Sequence, residues 1–304
     1  MSKTINAFCG SGGGALGSWS LGCLNWLVFS NKISFQVFSG TSVGAQLGTV
    51  LARGRGLAAQ TALLKTINEA FDAIKTPDQI YRRRGLWQRL PSAGLVFDLL
   101  ASVRERSIYD WSPLNAMIDR YVKPEEVKAS GNELRVSVVN FNSGQLKVVD
   151  QNEPQLRAYV KASSAMPVFA PPIEIDGQLY VDGGLIDQTP LKSTFEAIET
   201  IYQEGDVVNI YVVLTTPIEP IWMANNKFNN VLDMLLRHIE VSQSNTFKED
   251  LEVAFKKNHE AGCIDAEITV FEPRGHYFNA LAFNHNAIQT MKRLGEQEAA
   301  MELP

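Results

Sequence analysis

Ser42 is the residue with the clearest chemical signature. It sits in Ser39-Gly40-Thr41-Ser42-Val43-Gly44-Ala45, a Gly-x-Ser-x-Gly element. Phe35-Gln36-Val37-Phe38 before it is short, aromatic and β-branched, the pattern of a buried strand. Gln46 to Arg53 after it has apolar residues at helical spacing and stops at Gly54. A serine on a tight strand-to-helix turn is held in a strained conformation, with its hydroxyl projecting above a sheet near the positive end of a helix. Flanking glycines remove the side chains that would clash there. That placement turns a weak nucleophile into an exposed one.

Such a serine needs donors for the oxyanion it creates and a base for its proton. Gly10-Ser11-Gly12-Gly13-Gly14-Ala15-Leu16-Gly17 supplies the first. Gly12, Gly13 and Gly14 present backbone N–H groups with no side chain in the way, and fixed donors of this kind stabilise a tetrahedral intermediate by ~3 kcal/mol each. The same loop contains Gly12-x-Gly14-x-x-Gly17, a dinucleotide fingerprint. That use needs an acidic residue about 20 positions further on for the ribose, and none occurs before Glu69.

Two classes of base are available. A Ser, acid, His triad would draw on His238, His259, His276 or His285. His276 follows Pro273-Arg274-Gly275 in a loop and is the best placed of these. The alternative is a dyad with Asp182, which closes a strand ahead of Gly183-Gly184. A carboxylate can take a serine proton when it lies within about 3 Å and is shielded from water, because burial raises its affinity for protons.

These residues need a sheet with helices around it. Ile5–Cys9 reads as a first strand, the glycine loop leads into an apolar helix around Leu21–Val28, and the elbow adds a second strand and helix, a βαβα start. Leu57–Ile74 reads as a further helix. Leu134–Asn140 and Gln145–Val149 read as a hairpin. Pro154 opens a helix reaching about Ala165, and Ile173–Ile175 and Leu179–Val181 flank the turn residues Asp176-Gly177. Val207–Leu214 is a continuous apolar run suited to a buried central strand. Phe228–His259 and Asn284–Met301 read as helices, and Ile268–Phe271 as a late strand. Residues 75–111, with Arg82-Arg83-Arg84, Trp87 and the cluster Leu95–Leu100, read as a cap over the sheet. Their mixture of Arg and aromatic residues suits contact with an anionic lipid surface.

The whole chain of 304 residues lacks internal repeats and linkers and reads as one domain. Its net charge of −5 argues against nucleic acid as a partner. The charge is uneven, however: Lys3, Lys32, Arg53, Arg55 and Lys65 all precede the first acidic residue, Glu69. Cys9, Cys23 and Cys263 have neither disulfide-framework nor zinc-site spacing, which fits a reducing compartment. No signal segment is evident, and Leu21–Phe29 is far short of the ~20 apolar residues of a membrane span. The expectation is a cytoplasmic protein that can touch a membrane peripherally. No cofactor or metal is called for, and the acidic residues show no EF-hand spacing.

Four blocks together resemble the patatin-like phospholipases. They are Gly12-Gly13-Gly14-Ala15-Leu16-Gly17, Gly40-Thr41-Ser42-Val43-Gly44-Ala45, Ala162-Ser163-Ser164-Ala165-Met166-Pro167, and Asp182-Gly183-Gly184 with Asp187-Gln188-Thr189-Pro190. They occur in the family's order across about residues 4 to 195, and the C-terminal third carries no matching motif. The resemblance implies a three-layer α/β/α fold with a mainly parallel sheet. It implies a Ser42–Asp182 dyad, oxyanion donors at Gly12, Gly13 and Gly14, and hydrolysis of acyl esters of phospholipids or related lipids through an acyl-serine. An acyltransferase with the same dyad, an esterase using a downstream histidine, and a silent lipid-binding protein are the alternatives. Two positions depart from the family pattern: Leu16 stands where many members carry Arg or Lys, and Gln188 where Asn is common.

Overall fold

The computed structural model describes residues 2–83, 106–223, 264–275 and 278–303, with single positions between 234 and 251. The central feature is an eight-stranded sheet. Its strands are β1 (Thr4–Gly10), β2 (Val37–Thr41), β5 (Glu133–Asn140), β6 (Gln145–Asp150), β7 (Ile173–Ile175), β8 (Gln178–Asp182), β9 (Val207–Val213) and β10 (Ala266–Phe271). Residues Arg82–Arg83 (β3) and Tyr109–Asp110 (β4) form a separate antiparallel ribbon. The order across the large sheet is β10-β9-β1-β2-β5-β8-β7, with β6 also on β5. All pairings from β10 to β5 are parallel, and the β6, β7 and β8 pairings are antiparallel.

Residues alternate between the two faces of each strand, and both faces are covered. Phe8, Phe38, Val136, Val138, Tyr211 and Val213 join one core. This core is closed by α1 (Gly17–Asn25), α2 (Val43–Leu51), α3 (Gly56–Asp72), α4 (Ser112–Tyr121), α5 (Pro124–Ser130), α6 (Leu156–Ser163) and α8 (His285–Glu302). Ile5, Ala7, Cys9, Val208, Ile210 and Val212 point the other way, against α7 (Leu191–Glu199) and Phe247. The result is the expected three-layer α/β/α arrangement. Helix α1 is buried along its whole length, as an apolar helix must be when other elements surround it. Helix α8 lies against it, with Trp19 Nε1 donating to Glu298 Oε2 at 2.8 Å and Trp26 Nε1 donating to the Leu303 carbonyl at 2.8 Å.

Several local expectations match the elements observed. Asp176 and Gly177 both take positive φ, 50° and 73°, in the turn between β7 and β8. Asn284 caps α8 by accepting the Ala287 N–H at 3.0 Å. Strand β2 begins two residues later than the sequence pattern and runs through Gly40 to Thr41, up to the serine itself. Of the cap expected over 75–111, the stretch 84–105 lies outside the described residues. Most of the helix expected over 228–259 does too, and the positions described between 234 and 251 are helical. Among the described residues, no helix is long and apolar enough to cross a membrane.

Candidate active site

The register of β5 brings Ser42 and Asp182 together. One edge of β5 is occupied by β6 from Arg135 to Asn140. The other edge is shared end to end: β2 pairs with its first half, placing Thr41 opposite Ser137, and β8 pairs with its second half, placing Asp182 opposite Val138. The two strands therefore end at adjacent positions of a third, pointing toward each other. Ser42 follows one end directly and Asp182 is the other.

Ser42 has φ 54° and ψ −122° and begins α2. Positive φ at a non-glycine residue costs on the order of 1–3 kcal/mol and must be imposed by its surroundings. Part of that constraint comes from α6. The Ser42 N–H donates to Ser163 Oγ at 2.8 Å, and the Ser163 hydroxyl donates to the Ser137 carbonyl at 2.8 Å. Two residues on, the Ala165 carbonyl accepts the Asp182 N–H at 3.1 Å. The end of α6 thus clamps both sides of the site. On the far side, Thr41 Oγ1 donates to the Asp187 carbonyl at 2.8 Å. Gly44 has to be glycine, because a Cβ there would stand 2.1 Å from the Gly10 carbonyl oxygen.

Asp182 is 4% exposed and Ser42 is 7% exposed. Burial pushes the Asp182 carboxyl up to about 7. Hydrogen bonds from the Gly184 N–H, at 2.8 Å, and from Ser42 oppose the rise without cancelling it. A carboxyl poised near neutral pH and set beside a serine can exchange a proton with it at little cost. The positive end of α2 lies beside the same hydroxyl.

The glycine loop is tied down on three sides. Ser11 donates its N–H to the Val213 carbonyl at 3.0 Å, and its Oγ accepts the Thr215 N–H at 2.9 Å; Thr215 Oγ1 also donates to the Gly12 carbonyl. The Gly12 N–H donates to the Gln188 carbonyl at 3.2 Å, and the Ala15 N–H to the Ala280 carbonyl at 2.8 Å. Gly14 has φ 56°, and a Cβ there would meet the Ala280 oxygen at 2.4 Å. The N–H groups of Gly13 and Gly14 have no hydrogen-bond partner among the described residues. Of the three glycines expected to serve as donors, Gly12 therefore has its N–H engaged, while those of Gly13 and Gly14 are available.

Gly14, Ser42 and Asp182 line a common cavity of about 40 Å³. The rest of its wall is mostly apolar, including Trp111, Leu114, Met166 and Phe283, and Asp182 is the only ionisable group among the described residues that line it. Ile80 and Trp111, from the two ends of the segment expected to be a cap, belong to this wall. His238 and His285 are exposed and do not line the cavity, whereas His259 and His276 lie outside the described residues. Among the described residues, no cluster of three His, Cys, Asp or Glu could hold a metal ion. Leu16 packs against the larger core, and Gln188 is buried with its Nε2 lacking a partner among the described residues. The sequence reading missed Ser163, Ala165, Thr215 and Ala280 as supports. For the first two, the signal was the Ala-Ser-Ser-Ala block; the other two have no local signature.

Residues 8–195 match the family model of patatin-like phospholipases, more than half of the chain, and the chain belongs to that family. Among solved structures it is similar to VipD from Legionella pneumophila, at 14% identity and TM-score 0.44, over 98% of this chain and 66% of that one. It is also similar to the type III effector ExoU, at 15% identity and TM-score 0.40, over 99% of this chain and 52% of that one. ExoU in complex with SpcU from Pseudomonas aeruginosa matches at 13% identity and TM-score 0.36, over 99% and 53%. The chain thus spans just under two thirds of VipD and about half of ExoU. No curated protein sequence matches it.

Proposed function

We propose that the protein is a serine hydrolase that cleaves acyl esters of phospholipids or related lipids. The observation that supports this reading most is the placing of a strained, buried Ser42 beside a buried Asp182 with a raised carboxyl at one end of a mostly apolar cavity. In this mechanism Asp182 accepts the Ser42 proton as the oxygen attacks the acyl carbonyl. The N–H groups of Gly13 and Gly14 hold the resulting oxyanion. Collapse of the intermediate expels the alcohol, which takes the proton from Asp182, and leaves acyl-Ser42. Water then attacks the acyl carbonyl, giving its proton to Asp182, and the free acid departs as Ser42 regains a proton. Nothing in this sequence needs a metal ion.

The test is release of fatty acid from phospholipid vesicles and from a soluble acyl ester. Wild-type protein is expected to release it, and Ser42→Ala to lose at least ~1,000-fold in rate. Equal release by both proteins would sink the proposal. Adding an alcohol acceptor separates hydrolysis from transfer: acylated acceptor outrunning free acid would assign the protein as an acyltransferase instead.

A further inference from the structure

A second cavity, of about 50 Å³, lies between α2, α3 and α4, and Gln46, Phe71 and Met117 line both cavities. The way the three helices share the two spaces is regular. On α2, Val43 lines the first cavity, Gln46 both, and Leu47 and Val50 the second. On α4, Leu114 lines the first, Met117 both, and Ile118 and Tyr121 the second. Helix α3 runs the opposite way, with Phe71 in both and Ala70 and Ile67 in the second, and Ile74, two residues past its end, lines the first. The α2 and α4 sets have the i, i+3, i+4, i+7 spacing of one helical stripe, and Ile67, Ala70 and Phe71 share one face of α3. The two spaces adjoin at Gln46, Phe71 and Met117.

We propose that the two spaces form one tube with its waist at these residues, that this tube is the acyl-chain site, and that its distal half selects for long chains. The assignment rests on the reading of Ser42 as the nucleophile. The tube starts at the end where Ser42 and Asp182 lie and follows α2 to Val50, a reach of ~12 Å at the helical rise per residue. Beyond the waist its walls are almost wholly apolar. The Gln46 amide is held by Ser164 Oγ at 2.7 Å. An alkyl chain gains by leaving water for such a space with every methylene buried, and the flexible Met117 side chain can move aside at the waist.

The experiment compares kcat/KM for p-nitrophenyl esters of 4 and 16 carbons, with melting temperature measured alongside. Ala70→Phe places a ring in the distal half. It is expected to lower the ratio of long-chain to short-chain kcat/KM by about tenfold or more, the loss of two or so buried methylenes. Met117→Ala opens the waist and is expected to raise that ratio. Ratios within twofold of wild type in both variants, with cooperative melting retained, overturn the proposal. A binding measurement removes the dependence on turnover: palmitate displaces anilinonaphthalene sulfonate from Ser42→Ala protein, and about tenfold less effectively once Ala70→Phe is added. That result without ester hydrolysis keeps the tube and rejects the hydrolase. Hydrolysis without any effect of Ala70→Phe on ratio or binding does the reverse.

Discussion

Asp182 sets the pH behaviour expected of the protein. Its carboxyl holds its proton up to about pH 7 in the folded state, against an ordinary value of 3.8. Between those values the folded protein binds more protons at this site than the unfolded chain, so folding stability falls as pH rises. Asp182→Asn removes that dependence. Its stability relative to wild type is expected to grow by about 1.4 kcal/mol per pH unit from pH 4 to 7. Urea unfolding at several pH values checks this, and a difference that stays constant with pH contradicts the buried, raised carboxyl. In the proposed mechanism catalysis runs in the opposite sense, because there the ionised carboxylate is the base. Ester hydrolysis by wild type is expected to rise about tenfold per pH unit up to about pH 7 and then level off. A rate that does not change across this range is incompatible with Asp182 as base. On the proposed mechanism the raised carboxyl lowers stability at neutral pH and supplies a base that works there.

At the scale of elements, the site depends on the end of α6. Ser163 is fully buried and bridges the elbow to β5 by accepting from Ser42 and donating to Ser137. Ser163→Ala leaves the Ser42 N–H without its acceptor, at a cost of about 1–3 kcal/mol. Thermal denaturation should show that loss. The accompanying kinetic change is expected to be a fall in kcat with KM little altered, since Ser163 touches the Ser42 backbone and does not line the cavity. A change confined to KM would mean that Ser163 acts on substrate binding. Much of this level was legible in the sequence. The glycine loop, the elbow, the Asp-Gly-Gly turn and the proline-flanked approach to β7 are punctuated by residues whose backbone geometry is restricted, so each announces itself locally. The clamping role of α6 was not legible, because it depends on hydrogen bonds to residues over a hundred positions away in one case and 17 in the other. The stripe Leu114, Met117, Ile118 and Tyr121 did carry a helical signal, but its position just after the irregular 75–111 segment hid it.

At the scale of the molecule, the C-terminal third completes what the motif-bearing part begins. Strands β9 and β10 extend the sheet beyond β1, Thr215 anchors the glycine loop, and Ala280 fixes its other end. No motif marks these residues, because their contribution is backbone and packing, which many sequences satisfy. Helix α8 packs on the buried α1, and Glu298 accepts both the Trp19 indole N–H and the Arg274 backbone N–H. Glu298→Ala strands the Trp19 indole N–H in the core and is expected to lower stability by about 1–3 kcal/mol. Activity per folded molecule is expected to persist, since the pair lies away from the cavity lining. Loss of activity at temperatures where the variant remains folded would tie this contact to the site.

The central claim is that Ser42 is the nucleophile and that Asp182, with no histidine, activates it. The most direct measurement is the rate at which a fluorophosphonate labels the Ser42 peptide, followed by mass spectrometry in wild type, Asp182→Asn and His276→Ala. The account predicts prompt labelling in wild type and His276→Ala and a loss of at least ~100-fold in Asp182→Asn. Loss of labelling in His276→Ala with wild-type labelling in Asp182→Asn would contradict it.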